Sequence, residues 1–374
     1  MNRPPPLPPG RRLLLTDYAE SPEEAIASNL TLVEQPAPDP AALRPHEVLV
    51  RVRAAAVSWV DLLMTSGQYQ HKVPPPYTPG MEYAGEVLAV GPAVAPAQVA
   101  VGDRVMADTK KVGPRSFGEY QTVGGLATYA VLPADGVIRV PGPLSFEQAA
   151  GLLQAYETAY HCLVARANLQ PGESILVLGA TGLTGLAAVE LAKKLGATVI
   201  AAGRSDDRLA VAKAKGADHL VNIRGEGGGV RRFREDVKAL TGGEGVDVVY
   251  DAVGGEVSLE AMRCVAFGAR FLIVGWTSTP NVAKGRGQGG APNANMLPTN
   301  LMQMKQLTVM GCPSAIAVAK DPSIRPPRLA AVLGWAERGE IEPLVSLSRP
   351  LEEFREVMRA RWKGEVVGAC VLRP

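Results

Sequence analysis

Three glycines at a spacing of three, in Gly179-Ala180-Thr181-Gly182-Leu183-Thr184-Gly185, follow directly on the apolar run Ser174–Leu178 and open a segment of helical periodicity. Glycine makes up 40 of the 374 residues, so the string alone reads equally as a turn with close helix packing. Its setting points further. A strand, a glycine loop and a helix start bring backbone N–H groups and a positive dipole end to one place, which is what a pyrophosphate needs. A dinucleotide is therefore expected on residues 179 to 185.

The end of the next strand decides which dinucleotide. An NAD site places a carboxylate roughly 20 residues after the loop to hold both ribose hydroxyls, whereas a 2′-phosphate needs cations and small hydroxyls. Here the strand Thr198–Ala202 runs into Gly203-Arg204-Ser205, with Arg208 one helical turn on. No acid precedes Arg204, so NADPH is expected. The competing reading has Asp206 or Asp207 capping the following helix, with Arg204 merely solvated.

Holding such a loop takes a parallel sheet. Strands Ser174–Leu178, Thr198–Ala202, His219–Asn222, Val246–Asp251 and Arg270–Val274 alternate with helices Leu183–Leu195, Asp207–Lys215, Val230–Leu240 and Val257–Phe267, and Leu307–Gly311 closes a sixth strand. Parallel neighbours need a crossover of a helix's length, so this is a doubly wound α/β domain. Ligands of such sheets lie at the carboxyl ends of the strands, which selects Val253, Gly254, Gly275 and Trp276 as further cofactor contacts.

From Val48 to Pro141 the texture differs. Short β-rich segments, Val48–Ala56, Tyr83–Val90, Arg104–Ala107 and Ala127–Leu132, are punctuated by Gly and Pro and predict a mostly antiparallel domain. Residues Asn281–Asn300 read as a long loop, either functional or an edge insertion. Helices Pro326–Arg338 and Leu351–Lys363 and strand Val366–Leu372 have no place in the repeat and are expected to fold back on the N-terminal domain. The expected division is a Pro-rich tail 1–12, a catalytic domain 13–153 completed by 316–374, and a cofactor domain 154–315.

Composition narrows the class. Lys+Arg 39 against Asp+Glu 37 leaves +2, no field for nucleic acid or an anionic membrane. No run of apolar residues is long enough to span a bilayer. Cys162, Cys264, Cys312 and Cys370 are too widely spaced for a disulfide framework or a zinc pattern, so a reducing, cytoplasmic setting is expected.

The order of segments resembles the medium-chain dehydrogenase/reductase superfamily. The likeness runs through Leu49-Val-Arg-Val52, Pro79-Gly-Met-Glu-Tyr-Ala-Gly-Glu86, Val101-Gly-Asp-Arg-Val105, Gly125-Leu-Ala-Thr-Tyr129, the loop Gly179–Gly185 and Asp251-Ala-Val-Gly-Gly255. It implies a GroES-like, mostly-β catalytic domain around a Rossmann domain, with the active site in the cleft between them. Zinc alcohol dehydrogenases of this superfamily carry Cys, His and Cys where this chain has Ser58, Met81 and Gln154, and the cysteines of their structural zinc have no counterpart. A hydroxyl, a thioether and an amide are not a competent zinc set, so no metal is expected and Glu82 is read as a hydrogen-bonding partner.

The zinc-lacking branch that the chain is similar to is the quinone oxidoreductase, or zeta-crystallin-like, group. Its members carry Asn where Ser58 stands, Asp at Asp61, Tyr at Tyr69, and often a second Tyr in place of Leu63. The resemblance implies that Ser58 donates to a substrate oxygen, that Asp61 caps or orients Ser58, and that Tyr69 is a substrate-facing acid or, equally, a packing aromatic. It further implies Thr158 against the nicotinamide, Gln154 at the former ligand position, and Lys363 as a C-terminal contact to NADPH.

Without a Lewis acid, simple ketones are poor acceptors, whereas a quinone or an α,β-unsaturated carbonyl delocalises the incoming charge. The expected activity is NADPH-dependent reduction of such a small molecule. Two alternatives stand beside it. One is an enoyl-CoA-type thioester reductase, with a basic entry supplied by Lys284 and Arg286 or by Lys110, Lys111 and Arg115. The other is a non-catalytic NADPH-binding sensor or structural protein. A homodimer through the edge at Leu307–Gly311 is expected by analogy.

Overall fold

The computed structural model describes residues 7–279 and 295–374. These divide into two compact units, one running to Leu152 and resuming over Val345–Pro374, the other from Leu153 to Leu344. The chain thus returns to the first unit at Val345, later than the 316 expected. Helix Arg325–Glu337 stays with the second unit because two of its guanidiniums, on Arg325 and Arg328, are buried against Glu157 of helix Leu153–Tyr160 at 3.0 and 3.3 Å.

The second unit carries six parallel strands, numbered in chain order β1 (Ser174–Leu178), β2 (Thr198–Gly203), β3 (His219–Asn222), β4 (Val246–Asp251), β5 (Val265–Ile273) and β6 (Thr308–Gly311). Their spatial order is β3-β2-β1-β4-β5-β6. The chain walks outward from β1, then crosses back to β4, so the direction of winding reverses between β1 and β4. Such a reversal leaves a crevice at the carboxyl ends of the strands. Ile175, Leu176, Val177 and Leu178 of β1 are wholly buried, as a strand covered on both faces requires.

Two helix limits differ from expectation. The helix before β5 is Gly255–Ala261, not Val257–Phe267, and the strand already starts at Val265, which pairs with Val246. The register then jumps to Arg270 opposite Val248, and the chain bulges through Gly268 at φ 77°, leaving Phe267 in solvent. Likewise the helix expected from Val230 starts at Arg234, because Val230 is bridged to Arg224.

The first unit is a seven-stranded sheet in the order Val345–Pro350, Ala369–Arg373, Glu47–Ala56, Tyr83–Val90, Arg104–Ala107 and Val137–Arg139, with Tyr129–Pro133 also paired to Glu47–Ala56. All pairings are antiparallel except that of Val345–Pro350 with Ala369–Arg373. Strand Gly10–Leu15 pairs with Leu30–Gln35, so residues 10 to 12 belong to a sheet rather than to the expected tail; residues 1–6 of that tail lie outside the described residues. The buried strand Glu47–Ala56 leads into helix Trp59–Thr65, and helix Phe354–Trp362 is fixed against it by Trp362 stacked on Trp59 at 4.6 Å. All four cysteines are buried free thiols. Among the described residues no helix is long and apolar enough to cross a membrane.

Candidate active site

The glycine loop separates into three different demands. Gly179 has φ 69°, a conformation that side chains resist, and a Cβ there would touch Val253 at 3.0 Å. Gly185 is packed so tightly that a Cβ would lie 2.2 Å from the Gly179 carbonyl, which welds helix to strand. Gly182 is different: its Cβ would meet nothing nearer than 3.5 Å, and it is the N-cap of helix Leu183–Lys194 with no side chain capping it. The helix start therefore offers bare N–H groups and open space, the cradle that a pyrophosphate fits. Ala180 is buried with its N–H on the Ala202 carbonyl at 3.2 Å, while Thr181, Leu183 and Thr184 are half-buried around the opening.

The neighbouring strand ends close on this loop. A Cβ on Gly203, which ends β2, would lie 3.5 Å from Thr181. Arg204 follows, exposed and without an ion pair among the described residues, and Arg208 is half-buried. Ser205 is the N-cap of helix Asp206–Ala214 but makes no capping bond. Asp206 and Asp207 lie inside the first turn, so neither caps the helix, and Asp206 instead accepts from the Asn222 amide at 2.9 Å. Sequence reasoning overlooked Arg224. Asn222 of β3 sits opposite Gly203, so Arg224 leaves the sheet, exposed, beside the strand end that bears Arg204. The signal was available, because in the 3-2-1-4 strand order of dinucleotide-binding sheets the third strand borders the second.

At the far side of the reversal, buried Asp251 shapes the end of β4. One oxygen accepts from the Val253 and Gly254 N–H groups, both at 2.9 Å, and the other from the Ser258 hydroxyl. Burial raises its pKa, and these hydrogen bonds oppose the rise. The loop after β5 is tied to the same place: Gly275 N–H reaches the Asp251 carbonyl at 3.2 Å and Ser278 N–H the Val253 carbonyl at 2.8 Å. Gly254, at φ 79°, backs onto exposed Trp276, whose Cβ would lie 3.0 Å from an added methyl. On helix Leu153–Tyr160, Gln154 and Thr158 are four apart and so share one face, both half-buried. Glu157 pins that helix through Arg325 and Arg328.

In the first unit, Ser58 and Asp61 form a reciprocal cap on helix Trp59–Thr65. The Asp61 N–H donates to Ser58 Oγ at 3.1 Å, and the Ser58 hydroxyl donates to Asp61 Oδ2 at 2.7 Å. The Ser58 hydrogen is thus committed, and the expected donation to a substrate oxygen does not follow from this arrangement; what remains is a lone pair that accepts. Asp61 is buried, which raises its pKa against the pull of its bonds from Ser58 and Met81. Tyr69 is half-buried against the hydrophobic core of the first unit, with the Arg115 guanidinium 5.9 Å from its ring centroid. Lys363 is exposed at the end of helix Phe354–Trp362. Met81 and Glu82 are buried. Among the described residues no three His, Cys, Asp or Glu side chains gather as a metal set. Lys284 and Arg286, and the loop Asn281–Asn300 up to residue 294, lie outside the described residues; Thr299 and Asn300 instead begin a helix, Thr299–Met304.

Comparison with known proteins gives a consistent picture. Residues 184–317 match the zinc-binding dehydrogenase family and residues 44–142 the alcohol dehydrogenase GroES-like domain. Quinone oxidoreductase-like protein 2 of Bos taurus is 33% identical over 342 residues, 90% of this chain and 88% of its own. A solved NAD-dependent alcohol dehydrogenase is 29% identical with a TM-score of 0.75, over 97% of this chain and 99% of its own. A mycobacterial structure complexed with NADPH is 25% identical with a TM-score of 0.76, over 98% of this chain and all, 100%, of its own.

Proposed function

Because the chain belongs to the medium-chain dehydrogenase/reductase superfamily, as a nicotinamide-dependent oxidoreductase of its quinone oxidoreductase-like branch, we propose that it reduces a quinone or α,β-unsaturated carbonyl with NADPH and without a metal. The observation that carries this reading is the open N-terminus at Gly182 beside a strand end that bears Arg204, Ser205 and Arg208 and no acid before them. When bound, the dinucleotide would supply the hydride.

The chain's own residues do the rest. With the Gly182 N–H spent on the Gly179 carbonyl at 3.1 Å, the backbone N–H groups at residues 183 to 185 would hold the pyrophosphate, and Arg204, Ser205 and Arg208 would meet the 2′-phosphate as charge-assisted donors. Val253, Gly254, Gly275 and Trp276 wall the cofactor against water, with Gln154 and Thr158 presented by a helix that Glu157 keeps in place. Lys363 adds a cation from the C-terminal segment. Tyr69 passes a phenolic proton to the reduced acceptor. Ser58, its hydrogen held by Asp61, accepts from a substrate N–H or O–H. Ser58, Met81 and Gln154 are not zinc donors, so the name of the matching family brings no metal to this chain. A conjugated acceptor fits, since it spreads the arriving charge unaided. Exposed edge strand β6 is where a homodimer would pair.

The test is an acceptor panel of quinones, enones and short enoyl thioesters, run with NADPH and NADH, with and without chelators. We expect quinones or enones to be reduced with NADPH well ahead of NADH, and chelation to change nothing. Equal use of NADH, or activity lost to chelation, overturns the proposal. Tight NADPH binding with no turnover on the whole panel marks the non-catalytic alternative.

A further inference from the structure

We propose that Arg115, with Tyr69, His71 and Phe117, forms a subsite for an anionic group on the acceptor, so that the preferred substrates are conjugated molecules carrying a carboxylate, sulfonate or phosphate. This rests on the reduction reading above and names its substrate class. Several arginines of the same unit pair with acids, Arg11 with Glu352, Arg44 with Glu47 and Glu119, and Arg139 with Asp103. Arg12, like Arg115, has a buried Nε with no acceptor among the described residues, but no aromatic ring is stacked on its guanidinium there. Arg115 pairs with none among the described residues, although it is half-buried and its Nε is fully buried without an acceptor. A guanidinium nitrogen withdrawn from water without an acceptor favours the arrival of an anion.

The surroundings suit a planar guest. The Arg115 guanidinium carbon lies 5.9 Å from the Tyr69 ring centroid, and a planar cation beside a ring suits a flat anionic guest. His71 meets Phe117 edge-on at 4.5 Å, and Phe117 is 76% exposed, an aromatic ring presented to solvent. Burial and the charge of Arg115 hold the His71 imidazole down, despite a bond to the Ser116 backbone, so it adds no second cation. The segment between Gly113 and Gly118, at φ 81° and 103°, is braced by Ser116 Oγ on the Gly113 carbonyl at 2.8 Å. One unpaired cation, one phenol and one bare ring therefore face the same few residues.

The test compares binding of naphthoate with that of neutral naphthyl methanol, by titration calorimetry, to the wild-type protein, Arg115→Gln and Arg115→Lys. A charge-assisted pair of this kind corresponds to roughly a tenfold preference for naphthoate in the wild type. We expect that ratio to fall within about twofold in Arg115→Gln and to survive in part in Arg115→Lys. Retained binding of naphthyl methanol shows that the variant is folded. Should Arg115→Gln fail to fold, the wild type against Arg115→Lys decides. Equal affinity for the two ligands in the wild type, or a ratio unmoved by either substitution, overturns the proposal and leaves Arg115 a stacking partner of Tyr69. Turnover is read separately with naphthoquinone and its sulfonate, where the sulfonate should be favoured by a similar factor. If neither quinone oxidises NADPH or NADH while the naphthoate ratio holds, the reduction reading has failed and the anion subsite has not.

Discussion

Both hydrogens that Ser58 can donate, its N–H at 2.9 Å and its hydroxyl at 2.7 Å, go to one oxygen of Asp61, while the other oxygen takes the Met81 N–H at 3.0 Å. Asp61 is 2% exposed, so truncating it strands three donors away from water. Asp61→Ala should cost about 2–3 kcal/mol of stability, and Ser58→Ala about 1 kcal/mol through loss of the cap. Urea denaturation of the two variants measures the difference. Equal costs would mean that Asp61 does not organise the turn.

The loop glycines should part company. Gly185→Ala forces a methyl to 2.2 Å from the Gly179 carbonyl and should lower the unfolding midpoint sharply. Gly182→Ala has room, so stability should hold to within about 0.5 kcal/mol while nucleotide affinity drops about tenfold, a loss of roughly 1.4 kcal/mol. Nucleotide fluorescence titration set beside thermal melting separates the two outcomes; an unchanged affinity in Gly182→Ala would remove the pyrophosphate from this loop.

Arg204 is exposed and lacks an ion pair among the described residues, so its loss should be felt by ligand rather than by fold. Arg204→Ala is expected to weaken NADPH about tenfold relative to NADH, the scale of one charge-assisted contact. Competition by adenosine 2′,5′-bisphosphate against 5′-AMP gives the same reading without turnover. A ratio that does not move assigns the phosphate elsewhere, with Arg224 the next residue to change.

A pH dependence follows from His161. Burial first, then the charges of Arg328 and Arg166, push its imidazole down to about 4 from an ordinary value of 6.5. As pH falls below about 6.5, the unfolded chain takes up a proton that the native state refuses, so stability declines between about pH 6.5 and 4. His161→Asn should flatten that decline. Urea midpoints at several pH values across the interval check it, and parallel slopes for the two proteins would show that His161 is not the group responsible.

What the residues revealed depended on whether the cause was local. The strand, glycine loop and helix from Ser174 to Lys194 were legible because each position answers to its neighbours. The cap that Ser58 and Asp61 form was legible too, since Ser-x-x-Asp is the capping pattern, but the direction of the Ser58 hydroxyl was not, because the likeness to an Asn position implies donation to a substrate oxygen and the capping pattern leaves that hydrogen unassigned. The end of helix Gly255–Ala261 was not, because Val265 suits a helix face as well as a strand and only pairing with Val246 settles it. Nor could the place of helix Arg325–Glu337 be read, since its partner Glu157 lies 168 residues from Arg325. The company that Arg115 keeps with Tyr69, across more than forty residues of chain, left no trace in spacing.

The long-range pairing of Glu157 with Arg325 and Arg328 decides where this molecule can be recombined with its relatives. A graft that carried Leu153 only as far as Gly311 would export a sequestered carboxylate and leave both of its guanidiniums in the donor, a mismatch of the kind that costs several kcal/mol. Extended to Leu344, the transplant travels with its own counter-charges. The natural seam for chimeras is therefore the short crossing just before Val345, not the last strand of the sheet.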